Sequence, residues 1–138
     1  MIWKLKSGKE VKFNPNQYRL KDWNKAPSKP QLAVQKFFQT YWKNDIVLIE
    51  LRLPKTLMRY DLCNLSRKII VETSPNKVHL EFNEFFHKTR AGYLKKLKAD
   101  YEKMELAELN GFKFIELYDE EIDNLSKQMF KEKFDLDL

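Results

Sequence analysis

The chain has 138 residues, of which 43% are hydrophobic and 14% aromatic, so it is long enough for one compact domain and too apolar for a disordered segment. Its single cysteine, Cys63, excludes an internal disulfide, and one cysteine with two histidines gives too few ligands for a structural zinc site. No apolar stretch approaches the roughly 20 residues of a membrane span and no signal-peptide pattern follows Met1, so we expect a soluble, cytoplasmic protein without a membrane partner.

The net charge of +6 is concentrated near the start of the chain. Residues 1–30 carry eight basic and two acidic side chains, whereas residues 31–138 carry 18 of each. Lysines neutralise phosphates and aromatic side chains stack on bases, so this segment suits a nucleic acid. The candidate DNA contacts in it are Lys4, Lys6, Lys12 and Trp23. The alternative is a solvated basic hairpin whose aromatic residues belong to the core.

A hairpin and a helix are the first predicted elements. Alternating side chains over 2–6 and 10–13 predict a short basic hairpin. Ser28 has the side chain of an N-cap, and apolar residues at helical spacing follow it. They predict a helix over 29–42.

A meander of three strands and two further α/β elements follow. The strands are predicted over 46–53, 57–62 and 68–71. A helical pattern then runs from about Glu81 to the C-cap at Asn110-Gly111, as one helix or as two broken near Ala91-Gly92. The last predicted elements are a strand over 112–118 and a helix from Asp119 to about Phe130, before an acidic tail.

These elements predict a single α/β domain over 1–138. Residues 1–27 form its basic N-terminal extension, 28–122 its core, and 123–138 a C-terminal helix with the acidic tail. The core reads helix, three-strand meander, helix, strand, helix.

Two acidic residues fall where neighbouring meander strands are predicted to end. Asp61 lies near the end of the second strand, and Glu72 ends the third. Two carboxylates from adjacent strands are typical of a Mg²⁺ site, because Mg²⁺ prefers oxygen ligands and retains waters for a substrate phosphate. The alternative is ordinary surface pairing, of Asp61 with Arg59 or Arg67 and of Glu72 with Lys68.

The runs 59–62 and 69–74 resemble the core of the PD-(D/E)xK nuclease superfamily, in which a strand Asp and a Glu-x-Lys motif bind metal and activate water. Ser74 stands where the family has its lysine, and Gln31 stands near where a first-helix acid often adds a ligand. The resemblance is closest to the Vsr-like (very short patch repair type) endonucleases, which also lack that lysine.

The resemblance implies a restriction-endonuclease-like fold and a Mg²⁺-dependent DNA endonuclease, with Mn²⁺ as an alternative cation. Vsr-like enzymes use a strand Asp, a following Thr whose carbonyl helps to hold Mg²⁺, and a downstream His. The matching residues here are Asp61, Thr73 and His79, with Glu72 as the second carboxylate of the metal site. His79 would be the general base, and its alternative role is structural.

The helix after the meander supplies candidate phosphate contacts. Arg90 and Lys98 would clamp phosphate, and Asp100 would orient the histidine or pair with a nearby lysine. His87 ranks below these residues. Lys103 is assigned to a solvated helix face.

Three functions stay open on the sequence. The first is the endonuclease, and the second is a catalytically inactive nucleic-acid-binding module of the same fold. The third is a protein-interaction adaptor that uses the acidic tail 135–138. RNA is not excluded as the nucleic acid, and a homodimer would supply the two active sites that double-strand cleavage requires.

Overall fold

The computed structural model describes residues 1–74 and 90–138. Its elements are β1 (Ile2–Lys4), β2 (Glu10–Lys12), a 3-10 turn (Pro15–Tyr18), α1 (Lys29–Trp42), β3 (Val47–Arg52), β4 (Arg59–Asn64), β5 (Ile69–Thr73), α2 (Arg90–Leu109), β6 (Lys113–Leu117), α3 (Asp119–Asp123) and α4 (Lys127–Phe134). None of the helices in this part of the chain is long and apolar enough to cross a membrane. The chain is a mixed α/β protein.

A four-stranded sheet in the order β3-β4-β5-β6 forms the centre of the molecule. The first three strands are an antiparallel meander, as predicted, and β6 lies parallel to β5. Parallel neighbours need a long crossover, and α2 belongs to that connection. One face of the sheet packs against α1 and α4, and the other packs against α2 and the β1–β2 hairpin.

The first helix has the predicted bounds because its start signal is local. The Ser28 hydroxyl accepts a hydrogen bond from the backbone N–H of Gln31 at 3.3 Å, which satisfies one free donor of the first turn. Val34, Phe38 and Trp42 then fall on one face of α1 and are fully buried.

The C-terminal helix differs from its prediction. Tyr118, rather than Asp119, is the N-cap of α3, and the helix stops at Asn124. Ser126 caps a separate helix, α4, by accepting a hydrogen bond from the Met129 N–H at 3.0 Å. The tail after α4 is not wholly solvated, because Leu136 is buried in the core.

The N-terminal hairpin is part of the core. Trp3 is only 1% exposed, and its ring lies 5.7 Å from that of Tyr60 and 5.1 Å from that of Phe112. The Lys4 N–H donates to Asn110 Oδ1 at 2.8 Å, and Asn110 Nδ2 donates to the Lys4 carbonyl at 3.0 Å. The hairpin is thus fixed to the end of α2, and its aromatic residues are core residues.

Candidate active site

Asp61 fills a gap where β4 and β5 separate. The ladder between these strands extends to the pair Leu62 and Val71. Beyond it, Asp61 Oδ2 accepts hydrogen bonds from the Thr73 backbone N–H at 2.9 Å and from Thr73 Oγ1 at 3.2 Å. The side chain therefore satisfies a strand donor that the neighbouring backbone does not reach.

The predicted position of Asp61 at a strand end was wrong. Asp61 is the third residue of β4, and the observed strand continues to Asn64. It nevertheless lies beside Thr73, the last residue of β5, because the strands are antiparallel and the start of β4 adjoins the end of β5.

A strained residue lies across from Asp61. In the register of β3 and β4 this residue is Glu50, and its φ of 52° is in the left-handed region that strand residues rarely adopt. Leu48 and Leu51 lie on either side of it, three residues apart, yet both enter the same core cluster. The alternation of side chains between the two faces of the sheet is therefore interrupted at this point. Tyr60 is buried here, and its neighbour Asp61 lines an open cleft.

Glu72 is a buried acid with two charged neighbours. Its exposed fraction is 5%, it lines the same cleft as Asp61, and Lys103 Nζ lies 2.6 Å from its Oε1. Burial raises the pKa of Glu72 well above its ordinary value, and the nearby Asp61 side chain raises it further, whereas Lys103 lowers it. The Glu72 carboxyl therefore keeps its proton at a pH where an exposed glutamate has lost it.

Lys103 reaches the site from α2. Its side chain is 25% exposed and its Nζ lies 5.4 Å from the centroid of the Tyr60 ring. The Tyr60 hydroxyl donates to the Lys103 carbonyl at 2.7 Å, which fixes this turn of α2 above β4. The assignment of Lys103 to a solvated face was wrong, because helical spacing does not reveal which face crosses the sheet.

The cleft between these groups has a volume of about 200 Å³. Its other polar lining residues are Arg59, Ser74, Asp100 and Glu116. Ser74 Oγ donates to Glu116 Oε1 at 3.2 Å, and the Tyr118 hydroxyl donates to the same oxygen at 2.9 Å. Burial raises the pKa of Tyr118, and the nearby Glu116 adds to the shift, so this hydroxyl stays a donor.

The predicted surface pairs do not form in the described part of the chain. Arg59 pairs with Glu50 at 3.1 Å, and Arg67 pairs with Asp45 at 2.8 Å. Asp61 is engaged by Thr73, as described above, rather than by either arginine.

Gln31 lies outside the cleft, on the α1 side of the sheet. It is buried, and its Nε2 donates to Gln35 Oε1 at 3.3 Å and more weakly to the Asp61 carbonyl at 3.5 Å. The first helix thus contacts the backbone of the site strand and contributes no side chain to the cleft lining.

The structure brings together four of the predicted site residues in one cleft, namely Asp61, Glu72, Thr73 and Asp100. Two others, His79 and His87, lie outside the described residues. Of the two basic candidates on α2, Arg90 has a side chain outside the described part as well. The other, Lys98, is exposed, and it lies two positions before Asp100 and so about 200° away around the helix, on a different face.

Of the predicted DNA contacts in the N-terminal segment, the three lysines are exposed and the tryptophan is partly buried. Lys4, Lys6 and Lys12 are exposed on the hairpin, and Lys6 pairs with Glu105 at 3.5 Å. Trp23 is partly buried and packs against the core cluster that contains α1. Its ring is therefore partly used by the fold.

The two carboxylates fit a magnesium ion. Among residues 1–74 and 90–138, no group of three or more His, Cys, Asp or Glu side chains is placed to hold a metal. Mg²⁺ needs fewer, because one or two carboxylates with several waters commonly suffice. A bound ion would have to share Glu72 with Lys103, whose Nζ lies 2.6 Å from Glu72 Oε1.

Comparisons with known proteins give no relative. No family model, no curated protein sequence and no solved structure matches the chain. Function is therefore inferred from the chemistry of the cleft.

Replacement of Glu72 by glutamine tests the raised pKa. Above pH 4.5, the ordinary pKa of a glutamate, the unfolded chain has lost the Glu72 proton while the native state still holds it. The free energy of unfolding of the parent therefore falls as the pH rises from 4.5 to the raised pKa of Glu72. In metal-free buffer, Glu72→Gln should therefore gain stability relative to the parent over this range, by up to about 1.4 kcal/mol per pH unit.

Urea unfolding between acidic and mildly alkaline pH measures this difference. The control is Glu108→Gln, which changes an exposed carboxylate on the same helix as Lys103. A Glu72→Gln difference that stays constant with pH would show that the Glu72 pKa is ordinary.

Proposed function

We propose that this protein is a metal-dependent DNA endonuclease that hydrolyses phosphodiester bonds. The observation that carries the proposal is the meeting of Asp61 and Glu72 where β4 and β5 separate, with the Lys103 ammonium 2.6 Å from Glu72. Two carboxylates and one cation in an open polar cleft suit a phosphate that is held through Mg²⁺.

The order of the elements supports the same proposal. A helix, a three-strand meander, a second helix and a strand parallel to the third meander strand are the order expected of a restriction-endonuclease-like core. Asp61 and Glu72 lie on its two central strands, β4 and β5.

Lys103 can take the place of the lysine that is absent at Ser74. In the Glu-x-Lys motif the ammonium is carried by the strand itself, whereas here α2 brings an ammonium to the Glu72 carboxylate from above. Ser74 instead donates to Glu116 on β6. The Glu-x-Lys motif is absent, but a lysine ammonium still lies beside the Glu72 carboxylate, because α2 carries Lys103 to the end of β5.

Each polar group has a distinct task in the proposed reaction. Asp61, Glu72 and the Thr73 carbonyl would hold the cation, which when bound supplies positive charge to the phosphate oxygens. Lys103 would stabilise the charge that develops on the phosphate and orient the attacking water. Arg59, half exposed at the rim of the cleft, would bind a phosphate oxygen of the substrate. His79 remains the proposed general base.

Plasmid nicking tests the proposal directly. The parent should cut a supercoiled plasmid or a single-stranded circle only when Mg²⁺ or Mn²⁺ is present, and Asp61→Asn should lower the rate about a hundredfold or more. Asp123→Asn, the same change at an exposed acid of α3, should cut at the parental rate. Equal cleavage by Asp61→Asn would place the activity elsewhere.

A catalytically inactive nucleic-acid-binding module is the second candidate. The close ion pair between Lys103 and Glu72 favours it, because that contact occupies a carboxylate that a metal would need. Such a module would retard DNA in a salt-dependent manner, would cut neither substrate with either cation, and would bind equally well after Asp61→Asn.

Replacement of Lys103 by methionine tests the role of its ammonium in catalysis. The change keeps most of the side chain's apolar stem but removes the cation beside the buried Glu72, so the unfolding free energy should fall above the ordinary pKa of glutamate. In the folded protein kcat should fall about a hundredfold, because the ammonium acts on the reacting phosphate. The matched control is Lys95→Met, at an exposed position on the same helix. Equal kcat values for the two variants, measured with the single-stranded circle, would remove Lys103 from the mechanism.

A further inference from the structure

A second groove opens beside the cleft, between the β3–β4 turn and α2. Its volume is about 670 Å³. Arg59, Asp100 and Lys103 line both the groove and the cleft, so the two form one continuous depression. A ligand in the groove would therefore lie next to the cleft that Asp61 and Glu72 line.

Leu57 projects from the β3–β4 turn at the edge of this groove and is fully exposed. The turn that carries it is held at both ends by one hydroxyl. Thr56 Oγ1 donates to the Leu53 carbonyl at 2.9 Å and accepts from the Met58 N–H at 3.1 Å. Single exposed leucines are common on protein surfaces, but this one lies at the edge of a groove on a turn that is held in place, so it is available to pack against an apolar surface of a ligand there.

The turn side of the groove is also cationic. Arg52 and Arg59 are exposed at the two ends of the turn, and Lys55 is exposed within it. The acidic lining residues, Asp100 and Glu102, lie on the opposite wall, which α2 forms. In the pair of Arg59 with Glu50 the arginine side chain is half exposed, so one side of its guanidinium is open to solvent and can bind a phosphate.

We propose that this groove holds an unpaired nucleotide next to the scissile phosphate. Its base packs against Leu57, and its phosphate binds Arg52 or Arg59. A base within a duplex is covered on both faces by its neighbours, so Leu57 reaches a base face only when the base is unstacked. The inference depends on the proposed nuclease function and names its substrate class, which is DNA that contains unpaired nucleotides.

Binding without cleavage tests this assignment. Fluorescence anisotropy with EDTA present compares a labelled oligothymidine single strand with a blunt duplex of the same length. The parent should bind the single strand about tenfold more tightly, and Leu57→Ser should remove most of that preference while leaving duplex binding unchanged. Leu109→Ser replaces another exposed leucine, at the far end of α2, and should change neither affinity.

Two results would overturn the inference. One is equal parental affinity for the single strand and the duplex, and the other is a Leu57→Ser variant that binds both as Leu109→Ser does. Metal-dependent nicking that persists alongside either result would refute the groove's role and leave the nuclease standing. A selective loss of single-strand binding in Leu57→Ser, with no cleavage by the parent, would support the groove and refute the nuclease.

Discussion

The carboxyl group of Glu72 is buried in the sheet, and an ionised carboxylate in such a place is costly unless it has charged or hydrogen-bonding partners. Lys103 from α2 lowers that cost, whereas Asp61 from β4 favours the protonated form of the Glu72 carboxyl. The separation of β4 from β5 brings Asp61 to the cleft that Glu72 lines, and the path of α2 over the sheet brings Lys103 to the Glu72 carboxyl. An apolar residue at this position would often give equal or greater stability, and the burial of Glu72 is therefore consistent with the chemical use that we propose for it.

The elements around the site hold these partners in position. Trp3 packs on Tyr60, and the Tyr60 hydroxyl binds the backbone of Lys103, so the N-terminal hairpin supports the ammonium through a single aromatic layer. The strained φ of Glu50 opposite Asp61 allows the change of face that opens the cleft. In the basic segment at the start of the chain, the aromatic residues Trp3 and Phe13 are therefore part of the core, whereas the lysines are exposed to solvent.

Capping residues and hydrophobic spacing predicted most helices and strands, whereas the position of Lys103 in the site depends on tertiary contacts. The Ser28 cap gave the start of α1, whereas the Ser126 cap was overlooked and two short helices were merged into one. Adjacent strands predicted that Asp61 and Glu72 would meet. Lys103 could not be found this way, because the face that α2 turns to the sheet depends on how the helix crosses it, which spacing along the chain does not encode.

We propose that Asp61 and Glu72 together hold a divalent cation. Mn²⁺ binding measured by the loss of the free-ion electron paramagnetic resonance signal tests it without any substrate. If the two carboxylates share one ion, the parent should bind one Mn²⁺, Asp61→Asn should weaken the affinity about tenfold or more, and Asp123→Asn should leave it unchanged. Equal Mn²⁺ affinity in the parent and in Asp61→Asn would show that Asp61 does not hold the ion.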